Sequence, residues 1–298
     1  MAGGPGRAAD GVPVMVGTNK LFRSTQPKVT AIRGTFAPAT GEAGILSDDT
    51  VLLLVKGARQ SKAYPLRWLD RDELVLDELD GKAILITYCG LTYSPVVYES
   101  KDSIAVESIE DSGYIHECNL VLRDRVTGSL WQQINGNCLS GPSAGKRLTT
   151  HPSCLAVLRA VKRELPETLI MLEPAQGLKK SRPDMLPSGL PARLNPDPSF
   201  PISSFEPKLP TKERVLGFTV NNVAIVVPMQ SPPGRKDYTL GQVRFRTVPR
   251  LDICTIEVWS PERGWEPVPA QPCFWFAWYV MYPDSLVAHS EALSKGIL

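Results

Sequence analysis

The sequence predicts a mainly β protein of the α+β class, in which two related β subdomains share a core and are joined by a proline-rich connection, with one amphipathic helix. Three observations lead to this fold class. Short runs rich in β-branched residues recur between Gly, Asp, Asn or Pro turns, one segment has helical periodicity, and the second half weakly repeats the first.

The N-terminal segment, residues 1–28, is predicted to be flexible, because it opens with the Gly- and Ala-rich stretch MAGGPGRAADGVPVM. It lacks the apolar core of a signal peptide, and no run in the chain approaches the roughly 18 apolar residues that span a bilayer. We therefore expect a cytoplasmic protein with no membrane partner.

A first β subdomain is predicted over residues 29–165, with strands in TVLLLVKG, KAILITYC, SPVVYES and NLVLRDR. The segment HPSCLAVLRAVKREL predicts its helix, because Pro152 and Pro166 bound a set of apolar residues at helical spacing. Cys154 lies on that apolar face and His151 caps the helix.

Residues 166–210 are predicted to form a long connection, because they hold ten of the 27 prolines. Proline is excluded from helix interiors and central strands. This connection either gates a pocket or braces the two halves. A second β subdomain follows over residues 211–290, with strands in RVLGFTV, VAIVVP, QVRFRTV and ICTIEVW, and residues 291–298 form a tail.

The two halves share a pattern of strand, short turn, strand and proline. DDTVLLLVKGARQSKAYP in the first half resembles KERVLGFTVNNVAIVVP in the second, and TGSLWQQINGNC and TIEVWSPERGWEP form a looser pair. Two copies are too few for a solenoid, so the repeat predicts two β subdomains.

Composition excludes several classes of function. The 33 Lys and Arg residues balance 31 Asp and Glu residues, which gives no electrostatic case for a nucleic-acid partner. The six cysteines lack the C-x₂₋₄-C spacing of a structural zinc site and are expected to be reduced and mostly buried. Nothing in the sequence indicates an oligomeric state.

Cys89 is the first candidate site residue. It ends the strand KAILITYC beside Gly90, where the backbone turns and a ligand has room to approach. The thiol there is either a nucleophile or soft metal ligand, or a small buried side chain.

A second group of candidates lies in the segment SGYIHECNLVLRDR. His116 has the best context of the three histidines for acid/base chemistry, while His289 lies in the polar tail. The run LDRDELVLDEL adds Asp72 and Glu73, which belong either to a solvated acidic face or to a carboxylate pair beside Cys89.

No nucleotide-binding motif is present. In SGPSAGKRL the glycines are one residue too close for a phosphate loop, and Arg147 occupies the Ser/Thr position. The aromatic run CFWFAWYVMYPDS, which includes Trp275, is expected to pack in the core with one or two rings reaching a pocket.

Four stretches resemble a family known as domain of unknown function 3179. They are KAYPLRWL, the strand ending TYCGL, NLVLRDRVTGSLWQQINGNCLSGPSAGKRL and FWFAWYVMYPDS. The resemblance carries over onto nine positions: Tyr88, Cys89, Asn119, Asp124, Arg125, Ser129, Leu130, Trp131 and Gln132. It favours a functional site at Cys89.

The resemblance implies a diverged member, because the sequence departs from the family pattern at two points. Asp72-Glu73 stands where many members have His-Glu, and Thr92 stands where they have a second cysteine. We therefore expect no cofactor. If a transition metal binds, the remaining ligand set is Cys89, Glu73 and His116.

These residues predict an enzyme that acts on a small organic molecule without an organic cofactor, as a cyclase, isomerase, lyase or hydrolase. Cys89 is the nucleophile or ligand, a carboxylate of Asp72 or Glu73 or the His116 ring is the base, and Arg125 stabilises an anion. The predicted substrate-binding residues are Tyr88, Asn119, Asp124, Trp131 and Trp275. A copper- or iron-dependent oxidoreductase and a non-catalytic small-molecule-binding protein are the alternatives.

Overall fold

A computed structural model of the 298-residue chain describes residues 14–24, 31–41, 46–101, 104–172, 196–206, 208–229 and 234–288. The predicted tail, most of the predicted connection and His289 lie outside these ranges. No helix in the described ranges is long and apolar enough to cross a bilayer.

Strands dominate the described residues, and the prediction of a mainly β fold is confirmed. The strands of the first half are β1 (Val14–Val16), β2 (Asn19–Arg23), β3 (Phe36–Pro38), β4 (Val51–Lys56), β5 (Ser61–Pro65), β6 (Leu74–Leu79), β7 (Lys82–Cys89), β8 (Ser94–Glu99), β9 (Ile109–His116), β10 (Asn119–Asp124), β11 (Leu130–Gln132), β12 (Cys138–Ser140), β13 (Thr149–Thr150), β14 (Ser153–Val157) and β15 (Leu169–Met171). Those of the second half are β16 (Arg214–Val220), β17 (Val223–Pro228), β18 (Lys236–Leu240), β19 (Val243–Arg250), β20 (Ile253–Ser260), β21 (Gly264–Val268), β22 (Gln271–Phe274) and β23 (Leu286–Val287). The helices are α1 (Leu66–Asp72), α2 (Leu158–Glu164) and α3 (Trp275–Tyr279).

The first subdomain consists of two sheets. One has the strand order β14-β4-β5-β15-β3 and the other β13-β8-β7-β6. In the first of these sheets β15 runs parallel to β5, whereas β4 pairs antiparallel with both β5 and β14. Because β15 begins at Leu169, this subdomain extends beyond the predicted boundary at residue 165.

The second subdomain repeats this arrangement apart from the outermost strand β3. Its sheets have the orders β22-β16-β17-β23 and β21-β20-β19-β18. Here too the last strand, β23, runs parallel to its neighbour β17, while β16 pairs antiparallel with β17 and β22. In both subdomains a short helix follows the edge strand, α2 after β14 and α3 after β22. Two related β subdomains are therefore present, as the repeat of strand, turn, strand and proline predicts.

An insertion is the largest part of the first half without a counterpart in the second subdomain, whose described residues also lack equivalents of β3 and α1. Residues 100–148, the inserted segment, separate β8 from β13 and carry β9 to β12. These strands join β1 and β2 in a six-stranded sheet of order β1-β2-β9-β10-β11-β12, the inserted sheet. The predicted pairing of TGSLWQQINGNC with TIEVWSPERGWEP is wrong, because the first stretch lies in the insertion and the second forms β20 and β21.

The insertion explains a difference between equivalent strands. Both β6–β7 and β18–β19 turn through two residues, so counting from these turns makes Leu85 equivalent to Arg246 and Cys89 equivalent to Arg250. Alternate residues of β7 starting at Ala83 form the outer face of the first subdomain, which the inserted sheet covers. The equivalent face of β19 carries arginines, because no described residues cover it in that way.

Three local predictions need correction. The predicted 15-residue helix is shorter, because Ser153–Val157 form β14 on the edge of β4 and only Leu158–Glu164 are helical. The acidic run after Trp68 is not a solvated face, because it lies partly in α1, where Asp70 and Asp72 are buried.

The third correction concerns the N-terminal segment. Val14–Arg23 within it form the antiparallel pair β1 and β2, and β2 pairs with β9. Leu21 is fully buried, so this part of the segment belongs to the inserted sheet.

The largest core extends through both subdomains, and a separate core in the second subdomain includes Phe218 and Phe245. The largest core includes Leu53 and Ile86 from the first subdomain and Val215 and Trp275 from the second. The described part of the connection packs on this core, because Phe200 is buried and its ring contacts Phe22 edge to face. Residues 196–206 therefore brace the body.

Gly217 is required by close packing between β16 and α3. A Cβ at this position would overlap the indole ring of Trp278, whose Nε1 donates to Ser285 Oγ at 2.8 Å. The ring has little room to move, because it is buried and its ring centroid lies 4.4 Å from that of Tyr282.

We expect Gly217→Ala to lower the free energy of unfolding by about 1–3 kcal/mol, the usual cost of overpacking. Urea unfolding monitored by circular dichroism measures this. Gly234→Ala is the control, because a Cβ there meets no atom within 4 Å. Equal stability of both variants would contradict the packing described for Trp278.

Candidate functional site

Cys89 lies at the end of β7, as predicted, but in the interior of the protein. Its side chain is 2% exposed, and Thr92 N donates to its carbonyl in the loop that leads to Ser94. The inserted sheet covers this end of the strand. Burial therefore favours the interpretation of Cys89 as a small core side chain.

A network of buried side-chain amides and hydroxyls joins the inserted sheet to β7 and β8. Gln133 Nε2 donates to Thr87 Oγ1 at 2.8 Å, and its Oε1 accepts from Ser94 Oγ at 3.0 Å and from Asn119 Nδ2 at 2.9 Å. Tyr98 Oη also donates to the Gln133 carbonyl.

Asn119 is fully engaged in this network. Its Oδ1 accepts from Gln132 Nε2 and from Ile134 N, and its Nδ2 donates to Thr92 Oγ1 as well as to Gln133. With both ends of the amide occupied by protein, Asn119 serves the interface between sheets. Its predicted role in substrate binding has no support in this geometry.

His116 lies at the outer end of the same network. Its Nδ1 is 2.6 Å from Gln132 Oε1, and its Nε2 is 4.0 Å from Glu117 Oε1. Glu117 Oε2 in turn accepts from Ser203 N in the proline-rich connection. His116 is thus oriented by Gln132 beneath the brace.

Cys118 is a second buried thiol that interacts with Cys89. Its pKa is raised to about 12, chiefly by burial and then by the neighbouring Cys89, against lowering effects of the Phe200 and Ser199 backbone N–H groups and the Lys212 ammonium group. A thiol held protonated in this way is not an activated nucleophile.

Asp72 and Glu73 end α1 beside β7. The Asp72 carboxylate pairs with Arg71 at 2.9 Å, with both side chains almost buried. The Glu73 carbonyl accepts from Tyr88 N at 2.8 Å, so the chain does pass next to the Tyr88–Cys89 end of the strand.

Asp124 and Arg125 are separated from the other candidates by the length of β10. Asn119 begins this strand and Asp124 ends it, roughly 17 Å away at the rise of an extended chain. Burial alone would raise the pKa of Asp124, but hydrogen bonds from Ser108 and Thr127 lower it below its usual value. Arg125 is exposed and reaches the Glu107 carbonyl.

The three predicted aromatic residues pack in the core. Tyr88 and Trp131 are fully buried, and Tyr88 contacts Tyr93 edge to face. Trp275 begins α3, and its Nε1 donates to the Glu206 carbonyl of the connection at 3.2 Å. None of the three lines the cavities that contain Phe218, Arg123 or Cys254.

The structure therefore does not assemble the single pocket predicted around Cys89. The set proposed for a metal is also dispersed, because the described part of the chain holds no group of three or more His, Cys, Asp or Glu side chains that could bind one ion. Cys89, Glu73 and His116 are not such a group.

An open cleft lies elsewhere, where the two subdomains and the inserted segment meet. It has a volume of about 180 Å³ and is lined by Val96 and His151 of the first subdomain, Arg147 of the inserted segment, and Phe218 and Tyr282 of the second subdomain, among others. We call it the interdomain cleft.

Hydrogen bonds between the parts hold this cleft together. Gln271 Nε2 in β22 donates to the Pro95 carbonyl in β8 at 2.9 Å. Asn135 Nδ2 in the inserted segment lies 3.2 Å from the sulfur of Met281. One wall is formed by the rings of Trp278 and Tyr282.

Two basic side chains line the interdomain cleft, and no Asp or Glu does so within the described residues. Arg147 Nε donates to the Asn135 carbonyl. His151 is held at both ring nitrogens, with Nδ1 2.9 Å from Glu99 Oε2 and Nε2 3.1 Å from the Lys56 carbonyl. His151 precedes β14 and does not cap the helix, which begins at Leu158.

Sequence reasoning missed this cleft because its residues come from distant parts of the chain. The one local signal was Arg147, which replaces the Ser/Thr of an imperfect phosphate loop. No local sequence pattern connects Arg147 with Gln271 or Tyr282, which lie more than 100 residues further along the chain.

We expect Cys89 and Cys118 in the native protein to react with iodoacetamide at pH 8 at least about a hundredfold more slowly than half-buried Cys138, because alkylation requires an opening of the core. Peptide mass spectrometry of time points measures the modification of each cysteine. In guanidinium chloride the three rates should converge. Native labelling of Cys89 as fast as Cys138 would instead place its thiol in a reachable pocket.

Comparison with known proteins identifies the family. No curated protein and no solved structure matches the chain. The model of the family described as "Protein of unknown function (DUF3179)" matches residues 26–241, which include the first subdomain, the inserted segment and β16 to β18. This range extends beyond Leu148, where the third resembling stretch ends. It does not include the fourth stretch, the aromatic run that contains Trp275. Because it covers more than half of the chain, the protein belongs to the DUF3179 family.

Proposed function

We propose that the protein binds a small organic molecule in the interdomain cleft. The observation that carries this proposal is the meeting of three separate parts of the fold around one open cavity. Ligand sites form preferentially between domains, where concave surfaces combine apolar walls with a few polar groups. Here the Trp278 and Tyr282 rings supply the wall, and Arg147 and Gln271 supply polar groups.

Binding in the cleft is non-covalent in this proposal. Cys89 and Cys118 lie in the core, and no cysteine is among the described residues that line the cleft. The ligand is therefore held by shape, hydrogen bonds and charge rather than by attack of a thiol.

An enzyme of cyclase, isomerase, lyase or hydrolase type is the second candidate, and His151 favours it. Glu99 orients the imidazole ring at the wall of the cleft, as a carboxylate does for a general acid or base. This candidate requires a ligand to displace His151 Nε2 from the Lys56 carbonyl. A bound ligand that is turned over by the wild type but not by Glu99→Gln, with its affinity retained, would make this candidate the better one.

We also propose a cytoplasmic location, which the six free thiols support, because disulfides are rare in reducing compartments. No organic cofactor is included in either candidate function. A copper- or iron-dependent oxidation has the least support, since its expected ligands are dispersed.

Thr219→Trp should abolish ligand binding, because Thr219 is exposed in β16 at the cleft and an indole there fills the cavity. A fragment library screened by ligand-observed NMR measures binding to both proteins. Fragments that bind the wild type should fail to bind the variant.

Thr239→Trp provides the matched control, because Thr239 is an exposed strand residue outside the cleft. It should leave binding unchanged. The proposal fails if no fragment distinguishes Thr219→Trp from Thr239→Trp.

A further inference from the structure

We infer that the ligand of the interdomain cleft is a ring-sized organic molecule with one oxyanion group, a carboxylate or a phosphate, that Arg147 binds. This inference rests on the proposed function and specifies its ligand class. It follows from the charge of the cleft, the way in which Arg147 is held, and the volume.

The guanidinium group of Arg147 is fixed but not neutralised. Its Nε donates to the Asn135 carbonyl, which leaves both terminal amino groups for another acceptor. Among the described residues Arg147 forms no ion pair. The planar group is suited to two parallel hydrogen bonds with a carboxylate or phosphate.

The surroundings of Arg147 favour an anion. The described residues that line the cleft include no Asp or Glu, and Glu99, which contacts His151 Nδ1, is not part of the lining. The fully buried Tyr98 lies near Arg147 with its hydroxyl directed to the Gln133 carbonyl, and burial raises its pKa. Tyr98 therefore adds no negative charge at neutral pH.

Volume limits the rest of the molecule. The cleft holds about 180 Å³, whereas an apolar cavity of about 150 Å³ accommodates benzene. A single ring with one charged substituent matches this volume. The ring packs against Trp278 and Tyr282, with Phe218 as a further apolar contact.

Three probes of similar size test this inference: benzoate, phenyl phosphate and the neutral benzamide. Dissociation constants are obtained from perturbation of the Trp278 indole N–H signal in NMR titrations of the full chain. We expect benzoate or phenyl phosphate to bind about tenfold or more tightly than benzamide. Whichever anion binds more tightly distinguishes a carboxylate site from a phosphate site.

Arg147→Gln should reduce the affinity for the anions to that for benzamide. Arg147→Lys, which keeps the charge without the bond to Asn135, should retain part of the preference and guards against a folding defect. Arg263→Gln is the control, because Arg263 is exposed and pairs with Glu266 outside the cleft. It should change nothing.

Two outcomes overturn the inference in distinguishable ways. If benzamide binds as tightly as benzoate and phenyl phosphate, and Thr219→Trp abolishes all three, the cleft is a ligand site but not an anion site. If the Trp278 signal responds to none of the probes and the fragment screen finds no ligand that Thr219→Trp excludes, both the inference and the proposed function fail.

Discussion

The side-chain amide of Gln133 holds the inserted sheet against the first subdomain, and the shape of the whole protein depends on that contact. Its donor and acceptor are both used within the interior, by Thr87, Ser94 and Asn119. A buried polar group left without a partner costs about 1–3 kcal/mol, so the sheets can pack in essentially one register. That register also positions the inserted segment, and with it Arg147, at the interdomain cleft.

The two subdomains show that the element covering a strand determines which side chains its outer face has. Leu85 and Tyr98 face each other on β7 and β8 under the inserted sheet, whereas their equivalents, Arg246 and Glu257, form an ion pair at 2.5 Å. The fold tolerates both sets because the opposite face of each strand packs into a core. Cys89 belongs to the covered set, which accounts for a thiol at a strand end without assigning it any chemistry.

Sequence patterns predicted features that depend on neighbouring residues, such as strands. They failed for features that depend on contacts between distant residues. The strands of both halves were predicted because alternation and turn residues are local signals. The helix after Pro152 was overestimated because pairing with β4 draws Ser153–Val157 into a sheet. Resemblance to the family predicted membership, yet the residues it highlighted, such as Asn119 and Asp124, have their polar atoms engaged in packing and turns. The cleft combines residues from Val96 to Tyr282, which no local pattern connects.

The insertion between β8 and β13 also has a kinetic consequence. Every strand of the second subdomain comes from the continuous stretch Arg214–Val287, with hairpins joining most neighbours. In the first subdomain, β14 reaches β4 and β15 reaches β5 only after the chain has passed through residues 100–148. Leu169 is therefore 107 residues from its partner Lys62, against 61 between Ile225 and Leu286 in the second subdomain, and contacts of long sequence separation form slowly. We therefore expect the second subdomain, which leaves the ribosome last, to form its native strand pairs sooner. The first subdomain, although it is synthesised first, completes its pairs only after the inserted segment has folded.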